Sequence, residues 1–209
     1  MVALVILVII VFIIISLSAF YKFVFLRDPK RRIPKGDNLI SPADGKIINI
    51  IKIENLDKIK IRKGLLGKIK TSVSDICKKG YLINIMMDVT NVHVQRAPIK
   101  GKIISTKHIK GKLKNVVYGN RLENGIENEK NEIIIENKSI GKIKVIQIAG
   151  FLARRIECFV KKNQKINKGQ RIGRIIIGSQ VSLIFQDKIK PIIKIGDKVK
   201  AGETIIAKY

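Results

Sequence analysis

The chain opens with MVALVILVIIVFIIISLSAF, residues 1–20, and no side chain in that run carries a charge. This segment constrains the fold more than anything that follows it. About 20 apolar residues at ~1.5 Å rise match a hydrocarbon core of roughly 30 Å. A cleaved signal peptide has a basic start and a shorter apolar stretch, and neither is present. The sequence therefore predicts a retained transmembrane helix. Lys22, Arg27, Lys30, Arg31, Arg32 and Lys35 follow at once. By the positive-inside rule they put the carboxyl-terminal side in the cytoplasm of a membrane-attached protein. They are expected near anionic head groups, each worth about 1 kcal/mol close to the surface. Pro29 and Pro34 stop a continuing helix. The expected organisation is an anchor with its basic juxtamembrane segment at residues 1–35 and one β domain at 36–209.

After residue 35 the pattern becomes short apolar runs between Gly, Asn, Asp and Lys. Gly-Lys-Ile recurs at Gly45, Gly67, Gly101 and Gly141, each reading as a turn that feeds an Ile/Val-rich strand. In IKIENLDKIKIRK, Ile51, Ile53, Ile59 and Ile61 alternate with polar residues, which predicts half-buried strands. KGQRIGRI (168–175) and IGDKVKAGETI (195–205) resemble each other and read as two hairpin elements. The expected fold is mainly β, a barrel-sandwich-like domain with few short helices behind one transmembrane helix. One helix is expected in Gln147–Val160, where Ile148, Leu152, Ile156 and Phe159 fall at three-to-four spacing.

The formal net charge of +26 draws such a chain to polyanions: nucleic acid, an anionic membrane or an anionic substrate. The lysines are spread rather than clustered, so a solvated basic face accounts for them equally well. A nucleic-acid binder is not expected, because aromatic stacking residues and a recognised motif are both missing. Cys77 and Cys158 have no C-x-x-C spacing and make no zinc set with His93 and His108, so no metal site is expected.

Three stretches carry candidate chemistry. SPADGK (41–46) is ordinary turn chemistry, and Asp44 gains interest only beside a base. NVHVQRAP (91–98) holds His93, whose ordinary pKa near 6.5 suits proton transfer, although a lone histidine is more often structural. Arg96 in the same stretch binds an anion or is simply solvated. Arg154 and Arg155 offer either a basic face or a head-group contact, and His108, among lysines, reads as exposed and inert. In GRIIIGSQV, Gly178-Ser179 is either a tight turn or bulge, or a peptide bond meant to break.

FLRDPKRRIP, SPADGK, NVHVQRAP, GFLARRI and GRIIIGSQV occur in this order over nearly the whole chain. That ordered set resembles the phosphatidylserine decarboxylase proenzymes in their short form, which includes the archaetidylserine decarboxylases. The resemblance implies autocatalytic cleavage between Gly178 and Ser179 into residues 1–178 and 179–209, which stay together as a heterodimer. It implies a covalent pyruvoyl cofactor made from Ser179, and a serine phospholipid as substrate. His93 is then the expected base, oriented by Asp44, with Arg96, Arg154 and Arg155 as candidate substrate contacts. Longer members carry His-x-x-His where this chain has His93 and Arg96. Many short members read Gly-Ser-Arg-Val-Asp where it has Gln180 and Ser182. The rival from another class is a non-catalytic, membrane-anchored carrier or adaptor, which would leave the chain uncut; a carrier's modifiable lysine between methionines is not found.

Overall fold

A computed structural model of the protein describes residues 1–55, 57–63, 67–111, 128–150, 155–176 and 179–209. The apolar run forms helix α1, Val2–Ala19, which continues as a wider π-type turn over Phe20–Phe25. The helical stretch of 24 residues is long and apolar enough to cross a bilayer. None of the α1 side chains is buried against the protein. A helix apolar on every side and covered on none is suited to lipid.

Among the described residues the rest is built of strands. In chain order they are β1 (Asn38–Ile40), β2 (Gly45–Glu54), β3 (Lys58–Lys63), β4 (Gly67–Ser72), β5 (Lys79–Met87) and β6 (Val94–Arg96). Then come β7 (Gly101–Ile109), β8 (Lys130–Asn137), β9 (Gly141–Ile148), β10 (Arg155–Cys158) and β11 (Lys165–Ile166). The last are β12 (Arg171–Ile176), β13 (Ser179–Gln186), β14 (Lys190–Pro191), β15 (Lys198–Val199) and β16 (Ile205–Lys208). Eight of them form one antiparallel sheet in the order β11-β7-β8-β9-β13-β5-β2-β15, curled into a half-barrel. The sheets β10-β12-β6 and β1-β16-β14 and the hairpin β3-β4 complete the domain. The expected mainly-β, barrel-sandwich-like architecture behind one apolar helix is what is found.

Alternation explains the layering. On the central strands Ile83, Ile85, Ile133, Ile135, Ile143, Val145, Leu183 and Phe185 fill one core. Their strand neighbours Leu82, Ile134, Ile146 and Ile184 fill a second core on the opposite face, closed by Ile59 and Ile61 of the β3-β4 hairpin. Successive strand residues point to opposite faces, and here both faces are covered. Ile53, Ile59 and Ile61 are buried as their alternation predicts.

The predicted helix over 147–160 is not formed. Gln147 and Ile148 end β9, and Arg155–Cys158 is β10, paired antiparallel with β12. Ile148 and Ile156 belong to different sheets and different cores. Their helical spacing is the coincidence of two strands separated by a connection. Residues 151–154 of that stretch lie outside the described residues.

The lysines are not all solvated. Lys144 on β9 is fully buried. Its Nζ reaches Asp75 at 2.6 Å, the Ser72 carbonyl at 2.8 Å and Glu132 at 3.5 Å, pinning the end of the hairpin to the sheet. Burial alone would raise the Glu132 pKa; the Lys130 hydrogen bond, Lys130 and Lys144 charges and Thr71 outweigh it and hold the carboxyl below its ordinary value. Lys144→Met should lower stability by about 1–3 kcal/mol, because it removes the buried ammonium that the Ser72 carbonyl, Asp75 and, at longer range, Glu132 share. Thermal unfolding of the detergent-solubilised chain measures this. Adding Glu132→Gln to Lys144→Met should recover part of the loss, and equal loss in both variants would refute the electrostatic account.

Candidate active site

His93 stands just before β6 and is completely buried. Its backbone carbonyl accepts from the Ile175 amide at 3.1 Å, near the end of β12. That hydrogen bond ties the histidine to the strand that runs into residues 177–178. The ring Nδ1 lies 2.8 Å from the Asn91 carbonyl. A carbonyl only accepts, so Nδ1 carries the proton and Nε2 keeps its lone pair. Nε2 is buried and has no hydrogen-bond partner among the described residues. Burial holds the His93 pKa below its ordinary value; the Asn91 carbonyl, Asp88 and Asp44 push it up, and Arg27 pushes it down. A lowered pKa favours the neutral imidazole, whose basic nitrogen is then Nε2.

A buried polar chain supports this histidine from behind. The Gln95 amide donates to the His93 carbonyl at 2.9 Å and contacts the Met87 sulfur at 3.7 Å. Gln147 donates to Gln95 at 2.8 Å, and Asn131 donates to Gln147 at 2.8 Å. Sequence reading missed Gln95, Asn131 and Gln147. Their signal was available: three amides inside strands that otherwise alternate as core, where a buried polar group needs a partner.

Ser179 opens β13, with its backbone paired to Met87. The Met87 sulfur is also the atom that Gln95 contacts, so β13 and β6 both border the end of β5. Gly178 and Arg154 lie outside the described residues. Gln180 is fully buried, and among the described residues neither its amide nitrogen nor its amide oxygen has a partner. It follows Ser179 directly.

Asp44 does not hydrogen-bond His93. Arg31 donates to both Asp44 oxygens at 2.9 Å, and the Ala201 amide donates to Oδ1 at 2.7 Å. Arg96 likewise faces inward. It donates to Asp28 at 2.6 Å, to the Gly169 carbonyl at 3.0 Å and to the Pro29 carbonyl at 3.3 Å. Arg171 also pairs with Asp28, and Arg31 lies 3.8 Å from Glu203. Ile33 packs against Gly169 and Gly202, whose φ values of 80° and 81° and missing side chains open the groove it fills. The two look-alike stretches around 168–175 and 195–205 therefore supply two turns that grip one strap, residues 25–36. Arg27 and Arg31 were expected at lipid head groups; Arg27 instead donates to the Val24 and Thr90 carbonyls, and the Arg31 side chain is only 6% exposed. Lys22, Lys30, Arg32 and Lys35 remain exposed for that role.

Arg155 is exposed on β10 beside Glu157, at 3.6 Å. His108, expected to be inert and exposed, is 40% exposed and lies 3.1 Å from Glu129. Cys77 and Cys158 are both free thiols.

Because Arg96 binds Asp28 rather than facing an open cavity, Arg96→Ala should loosen the strap. Limited proteolysis should then cut within residues 30–35 at a concentration of trypsin that leaves the parent chain intact. A variant with unchanged proteolysis and a raised KM for lipid would make Arg96 a substrate contact instead.

The family model described as phosphatidylserine decarboxylase matches residues 19–207. A protein of Methanocaldococcus jannaschii named among the archaetidylserine decarboxylase proenzymes is 43% identical over 187 residues, covering 88% of this chain and 87% of that one. A phosphatidylserine decarboxylase proenzyme of Chlorobium phaeobacteroides is 38% identical over 186 residues, covering 88% and 79%. One from Desulfotalea psychrophila is 38% identical over 200 residues, covering 95% and 83%.

Proposed function

The chain belongs to the phosphatidylserine decarboxylase family, and from that premise we propose which of its residues carry the reaction and where it happens. It is a decarboxylase proenzyme, a carboxy-lyase of phospholipid metabolism. The chain cuts itself between Gly178 and Ser179, and residues 1–178 and 179–209 remain together. The substrate is a serine phospholipid, phosphatidylserine or archaetidylserine, taken from the membrane to which the apolar helix attaches the domain. The domain faces the cytoplasm.

The observation that carries this reading is the unpartnered Nε2 of the buried His93. A serine hydroxyl is a weak nucleophile and needs a base to accept its proton. The Asn91 carbonyl supplies the orientation that a carboxylate supplies in a Ser-His-Asp triad. Asp44 acts on His93 through its charge rather than by contact. With its proton passed to Nε2, the Ser179 oxygen attacks the Gly178 carbonyl, and the peptide C–N bond breaks as the ester forms. Removal of the serine α-proton then expels the Gly178 carboxylate, and water releases ammonia from the new amino terminus. The pyruvoyl group so formed supplies the electron sink for loss of carbon dioxide. In turnover the Nε2 of His93 would take up a proton released as the substrate amine condenses with the pyruvoyl carbonyl, and would return it to the substrate carbon. The unpaired amide of Gln180, next to the new terminus, is the candidate to bind the substrate's polar head, and Arg155 the candidate on the exposed rim.

A denaturing mass spectrum of the purified protein tests the reading. Two chains meeting at Gly178/Ser179 are expected, the smaller one lighter by the change from serine to pyruvoyl. One intact chain would remove the enzyme reading and leave a membrane-anchored adaptor.

A further inference from the structure

Within the membrane helix and its final π-type turn, Phe25 is the one buried residue. It is 3% exposed, whereas Phe23, two residues earlier, is 70% exposed. The Phe25 ring lies 4.0 Å from the His93 ring, centroid to centroid, at an interplanar angle of 30°. Tyr21, one turn earlier, stacks on Phe25 at 5.6 Å and 11°. Tyr21, Phe25 and His93 thus form one aromatic column running from the membrane helix into the candidate site. The strap locks this column in place through Arg27 on Thr90, Asp28 on Arg96 and Arg171, and Arg31 on Asp44.

We propose that Phe25 is a positioning residue of the reaction, the wall that holds the His93 imidazole and excludes water from it, so that the membrane helix is part of the active site as well as its tether. The proposal rests on the reading of His93 as the base. Two contacts restrain the imidazole: the Asn91 carbonyl fixes it in the ring plane, and Phe25 covers one face. Together they leave Nε2 a single direction in which to work, which is how a supporting residue contributes to rate. The charged groups facing His93 are Asp88 from the turn after β5, Asp44 from the turn between β1 and β2, and Arg27 from the strap. Phe25 adds no charge, so its effect comes through exclusion of water. Without the ring, water reaches the imidazole and the protonated form becomes easier to reach.

The test uses the full chain in lipid nanodiscs, with two readouts. The first is a His 13Cε1 NMR titration of the uncut Ser179→Ala chain. The protein has only two histidines, so His108 serves as the internal control. Phe25→Ala should move the His93 midpoint up toward ~6.5, the ordinary histidine value, with Phe25→Leu between the two and His108 unmoved. The second readout is the rate of self-cleavage across pH with Ser179 present. Phe25→Ala should slow cleavage ~10-fold or more at neutral pH and shift the acid limb to higher pH, and Phe25→Tyr should restore both. Phe25→Leu keeps the test decisive if the alanine variant does not fold. An unmoved His93 midpoint overturns the proposal, whatever happens to the rate. A shifted midpoint with normal cleavage in every variant means that His93 is not the base, and that removes the reading on which the proposal rests.

Discussion

Ser179→Ala should leave one uncut chain with no decarboxylase activity. The substitution removes one oxygen and leaves backbone pairing with Met87 available, since that pairing uses no side chain. The sheet should therefore form as before. What disappears is the sole oxygen that can attack the Gly178 carbonyl from the next residue, and with it the source of the pyruvoyl group. The expected effect is total, because the nucleophile has no substitute and the electron sink is never made. A denaturing mass spectrum gives the cleavage state, and release of labelled carbon dioxide from carboxyl-labelled serine lipid gives the activity. Both must fall together. A two-chain spectrum from Ser179→Ala would show that the cut lies elsewhere.

His93→Gln should slow self-cleavage on the order of 10²–10⁴-fold, the usual contribution of a positioned general base. Glutamine roughly keeps the size and one polar end of the side chain, so a large rate loss with unchanged thermal stability isolates the chemistry. The pH dependence follows from burial. The folded-state pKa of His93 lies below its ordinary value of about 6.5. Cleavage should therefore hold its plateau as pH drops through 6.5 and decline only at lower pH, once the folded imidazole takes a proton. Stability has the same sign. Below about 6.5 the unfolded chain binds a proton at this position that the folded chain refuses, so folding weakens as pH falls until the folded pKa is passed. His93→Gln should remove that part of the acid loss. Cleavage of the variant at the parental rate would end the assignment of His93 as base.

The helix and the sheet architecture were legible because their signals are local. An uncharged run of bilayer length has few other uses, and alternation of Ile with polar residues marks strands without knowledge of their partners. The exception, residues 147–160, failed for the same reason. Ile148 and Ile156 repeat at a helical interval, but they lie on strands of separate sheets, and a local period cannot reveal which sheet each residue joins. The candidate site was legible as motifs and not as contacts. NVHVQRAP singled out His93, and Asn91 lies two residues away in the same stretch, yet alternation ranked neither. Every residue from Val92 to Ile99 is buried, so the strand has no solvent side to contrast with.

The sequence by itself determined an apolar helix long enough to cross a bilayer, a β domain and an ordered set of motifs centred on His93 and Gly178-Ser179. Only the tertiary structure decided what each charge and ring does. Arg27, Arg31 and Arg96 look like Lys30 and Arg32 when read along the chain, yet the first three turn inward and the others stay in water. Arg96 is held by Asp28, which lies 68 positions away, and His93 is covered by Phe25 from the end of the apolar helix. The physical reason is that a buried ion pair or ring contact depends on which distant segment removes the water around it. That partner is chosen when the strap closes over the sheet, and no local pattern records it.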